Sequence, residues 1–456
     1  MDEIIELHEQ IKTLIEEKRY KELKTLLSEV NAVDIAEALG ELSESYMRTA
    51  FRLLQKDQAS DTFVAMEREE QEFLIKSFTD TELVALVKDI SVDDTVDIIG
   101  EMPANVVARI LRSADAQTRK SINEILLYPE HSAGSMMTPG YVALHPGMTV
   151  EESFEKIRKV GQDTETIYTC YVTENRRLLG VVSVRSMLIA PKTTKIEELM
   201  HENYISVKTT DDKEFVAGQI KKYGYLALPV VDTEEKLVGI VTIDDAIEVI
   251  EEEATEDIQK MTAIIPDESP YLRLSIFKIW KQRIPWLILL MILATLTSKI
   301  IGMYEAALSA CIVLNSFIPM IMGTGGNAGC QSSVTIIRSI SLGEIRVRDA
   351  FRVAWKEIRA AVIIGVTLAP ITFVKVMYLD GLYREPDGVI IAVVISITLI
   401  VTVIVAKLVG AVLPIFAKII HLDPAVMASP FITAIVDALS LIVYFAIASS
   451  FIPALA

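Results

Sequence analysis

Five apolar stretches of 18 to 28 residues lie close together in the C-terminal part of this 456-residue chain. They occupy residues 284–303, 306–323, 360–378, 389–416 and 431–452. A helix of about 20 apolar residues crosses the roughly 30 Å hydrocarbon core of a bilayer. Buried helices of a large soluble core are the alternative, but five such runs so close together favour a membrane domain of five helical spans over residues 276–456.

The charge of the chain divides at about residue 270. The whole chain has a net charge of −18, whereas residues 271–456 carry 15 Lys/Arg and 9 Asp/Glu, a net charge of +6. The first 270 residues therefore carry a net charge of −24. This contrast excludes a simple soluble enzyme. It also argues against nucleic acid as a partner, because a phosphate binder needs a basic face.

Basic residues give the orientation of the spans. Lys278, Lys281 and Arg283 precede the first span, and the loop between the second and third spans is rich in arginine. Because basic loops stay on the cytoplasmic side, we expect the acidic half in the cytoplasm and the C-terminus outside. The chain is thus predicted to be a multi-pass protein of the cell membrane, surrounded by lipid.

The N-terminus and the cysteines give further expectations. Residues 1–19 form a charged amphipathic stretch, so no cleavable signal peptide is expected. The three cysteines are Cys170, Cys311 and Cys330, without a CxxC pair. An odd number without that spacing indicates free thiols rather than a disulfide framework or a zinc site.

Asp437 lies in the middle of the last apolar stretch. A carboxylate there costs several kcal/mol unless it faces water, a cation or a partner. It is either a structural carboxyl between helices, or a cation ligand or proton carrier, which is the interpretation we favour.

A glycine-rich segment, GTGGNAG at 323–329, ends the second apolar stretch. Four glycines in seven residues are expected to loosen a helix, and irregular backbone at membrane depth lines a cavity or is buried in protein. Asn327 and Gln331 offer oxygen ligands beside it. A tight helix crossing through glycine is the alternative. A phosphate loop is excluded, since GxxxxGK[ST] is absent.

The N-terminal half divides into two predicted domains. Residues 1–130 show helical spacing of apolar residues throughout, which predicts an all-α superhelical array. Residues 131–249 contain a repeat, because VTENRRLLGVVS at 172–183 matches VDTEEKLVGIVT at 231–242. Each copy is predicted to form strand, turn, strand and helix.

The repeat resembles a tandem pair of cystathionine-β-synthase (CBS) domains, with copies at about 136–195 and 196–249. Such α/β pairs often sense adenine nucleotides, which a Thr/Ser and an Asp two residues later hold by the ribose. The second copy has this pattern in Thr242 and Asp244. The first copy has Ser183 and Arg185 and lacks the acid. The pair therefore implies one site for ATP or another adenine nucleotide, or else a purely structural pair.

Eight carboxylates occupy the fourteen residues 244–257, which are predicted to be helical, and an acidic connecting helix is predicted at 250–275. A solvated helix face is one interpretation. The other is a set of divalent cation sites, because such charge density repels itself unless cations neutralise it. Mg²⁺ and Ca²⁺ prefer oxygen ligands of this kind.

These parts in this order resemble the MgtE family of magnesium channels, over almost the whole chain. The markers are Asp437 and the sequences YPEHSAGSMMTP at 128–139, LVGIVTIDD at 237–245, EATED at 253–257, GTGGNAG at 323–329 and DPA at 423–425. The resemblance implies a homodimer of chains with a helical N domain, a CBS pair, a connecting "plug" helix and five spans.

The resemblance also implies roles for individual residues. Asp437 matches the pore acid that holds hydrated Mg²⁺, with Asn327, Gln331 and Ser429 as further pore-lining positions. Acids that bind cytosolic Mg²⁺ and close the channel match Asp93, Asp97, Asp245, Glu248, Glu256 and Asp257. Cys330 replaces an asparagine of the family, and Gly224 stands where relatives carry an acid.

The predicted function is a Mg²⁺ channel for uptake down the electrochemical gradient, closed by cytosolic Mg²⁺ and tuned by ATP. An ion-coupled exporter of Mg²⁺ or Co²⁺ is the alternative. A membrane enzyme under CBS control is not expected. The membrane half has a single histidine, His421, and no HExxH, and Asp437 is the one acid within its apolar cores.

Overall fold

The computed structural model describes residues 2–161, 164–267, 269, 271, 274–305, 309, 311–385, 387–427 and 429–452. The chain forms two compact units, Met1–Ile250 and Glu251–Ala456. The division lies near the change of charge and hydropathy along the sequence. Each unit is described by itself below.

The first unit begins with ten short helices, as predicted. Helices α1 to α10 cover Asp2–Glu16, Tyr20–Glu29, Ala32–Gly40, Glu44–Phe51, Lys56–Val64, Arg68–Ser77, Asp80–Asp89, Val92–Glu101, Ala104–Ser113 and Ala116–Ile125. Helix α3 packs against α1 and α5, α5 against α7, and α7 against α9. This alternate stacking buries one apolar stripe of each helix in a continuous core, which confirms the predicted array.

The CBS region contains two small sheets. Strands β1 to β6 cover Tyr141–Leu144, Thr166–Glu174, Arg177–Ser183, Val207–Lys208, Ala227–Val231 and Leu237–Thr242. Helices α11 to α15 cover Val150–Val160, Val184–Ile189, Ile196–Leu199, Lys213–Tyr223 and Ile243–Met261. In each sheet the central strand pairs in parallel with the first strand and antiparallel with the last.

The two copies pack with equivalent positions facing one another. The N–H of Leu178 donates to the carbonyl of Glu235 (3.5 Å), and the N–H of Leu237 donates to the carbonyl of Arg176 (2.8 Å). Leu178 and Leu237 are both buried in one core between the copies. Arg176 and Leu178 of the first copy correspond to Glu235 and Leu237 of the second copy, 59 residues later, so the two hydrogen bonds join equivalent positions. The structure therefore confirms the predicted tandem arrangement.

Helix α15 (Ile243–Met261) contains the carboxylate-rich segment 244–257, as predicted. It begins directly after strand β6 and ends at Met261, whereas the connecting helix was predicted at 250–275. Residues 264–267 have no regular structure, and residues 268, 270, 272 and 273 lie outside the described residues.

The second unit is helical. Helices α16 to α20 cover Ile276–Met303, Ile318–Ser341, Ala350–Val374, Gly388–Ile419 and Ser429–Phe451. In the described part of the chain, four segments are long and apolar enough to cross a membrane: Ile276–Met303, Val347–Leu379, Gly388–Ile419 and Pro424–Phe451. They contain the first, third, fourth and nearly all of the fifth predicted stretches.

The predicted span at 306–323 is not among these four segments. Residues 306–308 and 310 lie outside the described residues. A 3₁₀ helix covers Ile312–Phe317, and the α-helix α17 follows from Ile318. Helix α17 has 24 residues, but its many glycine, serine and threonine residues make it less apolar than the other four. A fifth span thus stays a prediction.

The glycine-rich segment does not loosen its helix, and that expectation was wrong. Helix α17 continues through residues 323–329 without a break. A Cβ on Gly410 of α19 would lie 2.2 Å from the Gly329 carbonyl oxygen of α17, so the two backbones touch. Glycine costs each helix about 1 kcal/mol in propensity, which is offset by close packing between helices.

The contact between Gly329 and Gly410 gives a first prediction. We call the second unit, which holds the long apolar helices, the membrane unit. We expect Gly410→Ala to destabilise it by about 2 kcal/mol or more, because the added Cβ would force α17 and α19 apart. Thermal melting of the full chain in detergent measures this loss. Gly323→Ala is the matched control, since a Cβ there meets nothing within 4 Å. Equal melting temperatures for both variants would contradict the packing described here.

Candidate cation sites

Asp437 lies on α20 (Ser429–Phe451) where that helix meets the glycine face of α17. Its side chain is half-buried. Its Oδ1 would lie 3.8 Å from a Cβ on Gly326, and Thr433, one turn earlier on α20, would lie 3.1 Å from the same Cβ. Because Gly326 has no side chain, the carboxylate is not covered by α17 on this side.

Asn327 and Gln331 lie one turn apart on an exposed face of α17. Gly323 and Thr335 continue this face along the helix, and both are exposed. Amide side chains at membrane depth are costly against lipid and mark water-filled paths or contacts with other helices. We call Gly323, Asn327, Gln331 and Thr335 the polar stripe of α17.

Cys330 faces α20 beside the polar stripe. Its Sγ lies 3.4 Å from the Thr433 Oγ1, one turn along α20 from Asp437. The structure therefore brings Asp437, Thr433 and Cys330 to one contact between α17 and α20. Ser429 is the first residue of α20, and its side chain lies outside the described residues.

Sequence reasoning missed two charged residues in the membrane unit. Lys407, within the predicted fourth span, is buried on α19, and its ammonium contacts Glu357 of α18 and Ser332 of α17. A lysine in the middle of a 28-residue apolar stretch was a signal that could have found the pair. Glu357 precedes the predicted third span by three residues and so escaped the search for acids within the spans.

A second group of acids lies in the first unit, where α8 (Val92–Glu101) meets the start of α15. Asp93 is buried, and one of its oxygens, Oδ1, has no hydrogen-bond partner in the described part of the chain. Burial raises the pKa of Asp93, while hydrogen bonds from Ser91 and Thr138 act in the opposite direction. Thr138 belongs to the entry of the first CBS copy, so Asp93 links the N domain to the CBS pair.

Asp93 and six other carboxylates interact electrostatically. We call these seven the acidic cluster: Asp93, Asp94, Asp97, Glu165, Asp244, Asp245 and Glu248. The predicted sensor acids Asp93, Asp97, Asp245 and Glu248 are thus brought together. Asp94 and Glu165 were not predicted as members, and Glu165 comes from the distant strand β2. In the described residues no three Asp, Glu, His or Cys side chains have the arrangement of a formed metal site.

Burial and the repulsion between neighbouring carboxylates raise the pKa values of five members of this cluster: Asp93, Asp94, Asp97, Glu165 and Asp245. The pKa of Asp97 is raised to about 8 by desolvation, then by Asp93, Asp245, Glu248 and Asp94. The pKa values of Asp245 and Glu165 are both raised to about 7, chiefly by desolvation and further by neighbouring aspartates. Asp97 and Glu165 keep contact with water, which screens part of this repulsion.

These shifts predict a pH dependence of stability. Because the folded pKa values lie above the unfolded ones, the folded first unit binds more protons than the unfolded chain between about pH 4 and pH 8. Its stability is therefore expected to fall as the pH rises through this window. After allowance for screening, we expect a loss on the order of 1 kcal/mol between pH 6 and pH 8, or about 2–4 °C in melting temperature.

Thermal melting of residues 1–261 in EDTA at pH 6 and pH 8 measures this dependence. Asp97→Asn should weaken this dependence, because it removes the carboxyl whose pKa is raised to about 8. Asp34→Asn, an exposed change on α3, is the control and should leave it unchanged. A melting temperature that rises with pH in EDTA would contradict the repulsion in the cluster.

Glu256 and Asp257 lie in the second unit, at the end of α15. The Lys260 ammonium contacts Glu256 Oε1 (2.5 Å) and Asp423 Oδ2 (2.7 Å), so a lysine already bridges these two carboxylates. The Ser341 hydroxyl, at the end of α17, donates to Asp257 Oδ2 (3.1 Å). Partial burial raises the pKa of Asp257.

The predicted nucleotide residues lie at the junction of β6 and α15. The N–H of Thr242 donates to Asp245 Oδ2 (3.2 Å), and the Thr242 hydroxyl donates to the same oxygen. Thr242 is buried, whereas Asp244 is exposed. The Thr242 hydroxyl is therefore engaged within the acidic cluster, and a ribose would have to compete with Asp245 for it.

Comparison with known protein families covers both units. The model of the MgtE family, divalent cation transporter, matches residues 318–447. The MgtE intracellular N domain matches residues 30–131, and the CBS domain matches residues 133–192 and 196–252.

Two full-length relatives and two solved structures resemble the chain. The Magnesium transporter MgtE of Thermus thermophilus is 35% identical over 87% of each chain. The protein of the same name from Bacillus subtilis is 31% identical over 88% of each chain. A crystal structure of the cytosolic domain of the Mg²⁺ channel MgtE in complex with ATP covers 53% of this chain and 99% of its own, with 34% identity and a TM-score of 0.51. The soluble part of a magnesium transporter covers 55% of this chain and 99% of its own, with 26% identity and a TM-score of 0.52.

The identity extends over the acidic N-terminal half and the apolar C-terminal half alike. The extent of this identity agrees with the division of the chain into two units and with the order of the marker sequences along it. The chain belongs to the MgtE family of magnesium transporters.

Proposed function

We propose that this chain forms a homodimeric Mg²⁺ channel that admits Mg²⁺ to the cytosol down its electrochemical gradient. The observation that carries the proposal is the position of Asp437, a half-buried carboxylate at the glycine-lined contact of α17 and α20. The MgtE family is one of transporters and not of enzymes, so a CBS-controlled membrane enzyme is set aside.

The polar stripe of α17 supports a path beside Asp437. Asn327 and Gln331 are exposed in a single chain, and lipid would leave their amides without partners. A second copy facing this stripe across a two-fold axis would enclose it and place two copies of Asp437 around one path. Ser429 and Cys330 would stand along the same path, towards the cytoplasmic end of α20.

Mg²⁺ suits such a site because it dehydrates reluctantly and keeps several waters. A carboxylate and amide oxygens can hold a hydrated ion by accepting hydrogen bonds from the waters of its shell. Driving the ion inward needs no chemical fuel, since the membrane potential supplies about 2.3 kcal/mol per charge per 100 mV.

The acidic cluster supports closure by cytosolic Mg²⁺. Its carboxylates repel one another, and the buried Asp93 Oδ1 offers an oxygen that a cation can use. Bound Mg²⁺ would hold the N domain and the CBS pair together, and loss of Mg²⁺ would let them separate. Glu256 and Asp257 would contribute once a cation displaces their contacts with Lys260 and Ser341.

An adenine nucleotide, ATP in the solved relative, is proposed to bind beside Thr242 and Asp244. Because Thr242 contacts Asp245 of the acidic cluster, a nucleotide at this position would change the same carboxylates that bind Mg²⁺. The nucleotide thus tunes the gate rather than driving transport. The N-terminal half would lie in the cytoplasm of the cell, and the C-terminus outside.

Single-channel recording of the purified full chain in planar bilayers tests this function. We expect a Mg²⁺ current that needs no gradient of another ion, with an open probability that falls as cytosolic Mg²⁺ rises. A Mg²⁺ flux that depends on a counter-ion gradient would instead favour the ion-coupled exporter. A current that does not change with cytosolic Mg²⁺ would contradict the proposed closure by Mg²⁺.

A further inference from the structure

Three polar side chains from three different helices meet in the membrane unit. The Ser332 hydroxyl of α17 donates to Glu357 Oε2 of α18 (2.6 Å). The Lys407 ammonium of α19 donates to the Ser332 hydroxyl (2.9 Å) and to Glu357 Oε2 (3.3 Å). Every member therefore contacts both others, and we call the group the Lys407 triad.

The Lys407 triad is well removed from solvent. The side chains of Lys407 and Glu357 are 8% and 17% exposed, and Ser332 is buried. Two charges in such a place are costly apart and tolerable as a hydrogen-bonded pair. The triad is thus a built group in which the charges of Lys407 and Glu357 offset each other.

The triad lies beside the closest approach of α17 and α19. A Cβ on Gly329 would lie 3.3 Å from the carbonyl oxygen of Ala406, the residue before Lys407. The Gly329 backbone also touches Gly410, one turn after Ala406. At Gly329 and Gly410 the two helices meet through backbone, whereas side chains pack on either side: the Thr402 methyl group lies against Gly325, and Ile336 shares an apolar cluster with Ile415.

A contact of this kind specifies register weakly. Large side chains fix how far one helix can slide or rotate against another, because knobs must fit holes. Glycine offers no knob at this level, so the alignment of α17 and α19 there depends on packing further along the helices and on polar groups beside the contact. Ion pairs and hydrogen bonds serve this role best where packing leaves the register open.

Register matters because the other side of α17 meets Asp437. Cys330 contacts Thr433 of α20, and Gly326 faces Thr433 and Asp437, on the same helix that carries Ser332. A slide or rotation of α17 would therefore move Asn327 and Gln331 relative to Asp437. The helix cannot change its contact with α19 without changing this site.

We propose that the Lys407 triad sets the register of α17 against α18 and α19 and so fixes the polar stripe opposite Asp437. Lys407 and Glu357 are positioning residues in this proposal, acting through Ser332 and α17 rather than on the ion. The inference rests on the proposed permeation path at Asp437. Its test therefore includes a measurement that does not depend on transport.

The first test separates positioning from stability. In liposomes that hold a Mg²⁺-sensitive dye, we expect Lys407→Met and Glu357→Gln each to lower both the melting temperature and the Mg²⁺ flux, because each leaves one buried charge unpaired. The double variant Lys407→Met/Glu357→Gln removes both charges. We expect it to recover the melting temperature but to keep a flux reduced by about tenfold or more, the scale of a misplaced group in a positioned site.

Lys418→Met is the matched control. Lys418 lies on the same helix α19 but is exposed, so its loss should leave flux and melting temperature unchanged. Lys407→Arg keeps the charge and should restore part of the flux that Lys407→Met loses. Full flux in the double variant would overturn the proposal, since neither charge would then be needed for positioning.

The second test reads the geometry directly. Cys330 Sγ lies 3.4 Å from Thr433 Oγ1, so Thr433→Cys places two thiols at the contact of α17 and α20. In a chain with Cys170→Ala and Cys311→Ala, we expect mild oxidation to join residues 330 and 433. The double triad variant should slow this cross-linking about tenfold or more, and Lys418→Met should not.

The two tests have distinguishable failures. Unchanged cross-linking in the double triad variant would overturn the positioning role, whatever the flux. Slower cross-linking in a chain that shows no Mg²⁺ flux even with its natural sequence would support the register function and reject the proposed permeation.

Discussion

Replacing Asp437 by alanine is expected to lower Mg²⁺ flux by about two orders of magnitude while the fold is kept. In the proposed path, a hydrated divalent ion would donate hydrogen bonds from its waters to this carboxylate, and charged hydrogen bonds of this kind contribute up to about 3 kcal/mol. A loss of that size corresponds to roughly a hundredfold in occupancy. Since Asp437 is half-buried, its removal also relieves a desolvation cost, so stability should not fall.

Flux into dye-loaded liposomes measures this effect for Asp437→Ala and Asp437→Asn. Asp437→Glu keeps the charge and should retain part of the flux. The matched control is Asp387→Asn, which removes an exposed carboxylate from the loop before α19 in the same unit. If Asp437→Ala keeps the wild-type flux and melting temperature, Asp437 does not have the proposed role in the pore.

The second large effect concerns the acidic cluster. We expect Asp97→Asn combined with Asp245→Asn to raise the cytosolic Mg²⁺ concentration that half-closes the channel by more than about tenfold. In the proposed sensor, each lost carboxylate would remove one ligand of Mg²⁺. A net loss of 1.4 kcal/mol in Mg²⁺ binding corresponds to about a tenfold change in affinity. The size of the single-channel current should stay the same, because neither residue belongs to the membrane unit.

Recording with varied cytosolic Mg²⁺ measures the half-closing concentration. Isothermal titration of residues 1–261 with Mg²⁺ measures the loss of binding independently. Asp34→Asn, on the exposed side of α3, is the control for both. If the double variant closes at the wild-type concentration, the cluster does not sense Mg²⁺.

Much of the fold could be predicted from the sequence because repeats and hydrophobic spacing extend over many residues. The 59-residue repeat predicted two equivalent CBS copies, and in the structure the backbone of Leu178 pairs with that of Glu235 and the backbone of Leu237 with that of Arg176. Helical spacing over residues 1–130 likewise predicted the stacked array. Such patterns are redundant, so no single residue decides them.

Single residues were harder to interpret. The glycines of α17 suggested a loosened helix, yet their effect depends on a distant partner, because Gly410 lies 81 residues from Gly329 in the chain and touches its carbonyl. Local propensity is a weak guide where packing between helices decides. The alternative interpretation of these glycines, a tight helix crossing, is the one the structure confirms.

The candidate sites show the same division. Asp437 could be predicted because it interrupts an apolar stretch. The acids of α15 could be predicted from their density, and those of α8 from the resemblance to the family. Glu165 joins the acidic cluster only through the fold, since nothing near it in sequence distinguishes it from other exposed glutamates. Glu357 is likewise an ordinary glutamate at the start of a helix until α18 places it against Lys407.

The length of α19 has a consequence for the lipid around the protein. Its 32 residues extend about 48 Å, well beyond a hydrocarbon core of roughly 30 Å. Such a mismatch is accommodated by tilting the helix or thickening the bilayer. Because α17, α18 and α20 all pack against α19, its tilt is passed to the helices that carry the polar stripe and Asp437. Bilayer thickness is thus expected to act on the proposed cation path through one overlong helix, which makes the acyl chain length of the surrounding lipid a variable of the proposed transport.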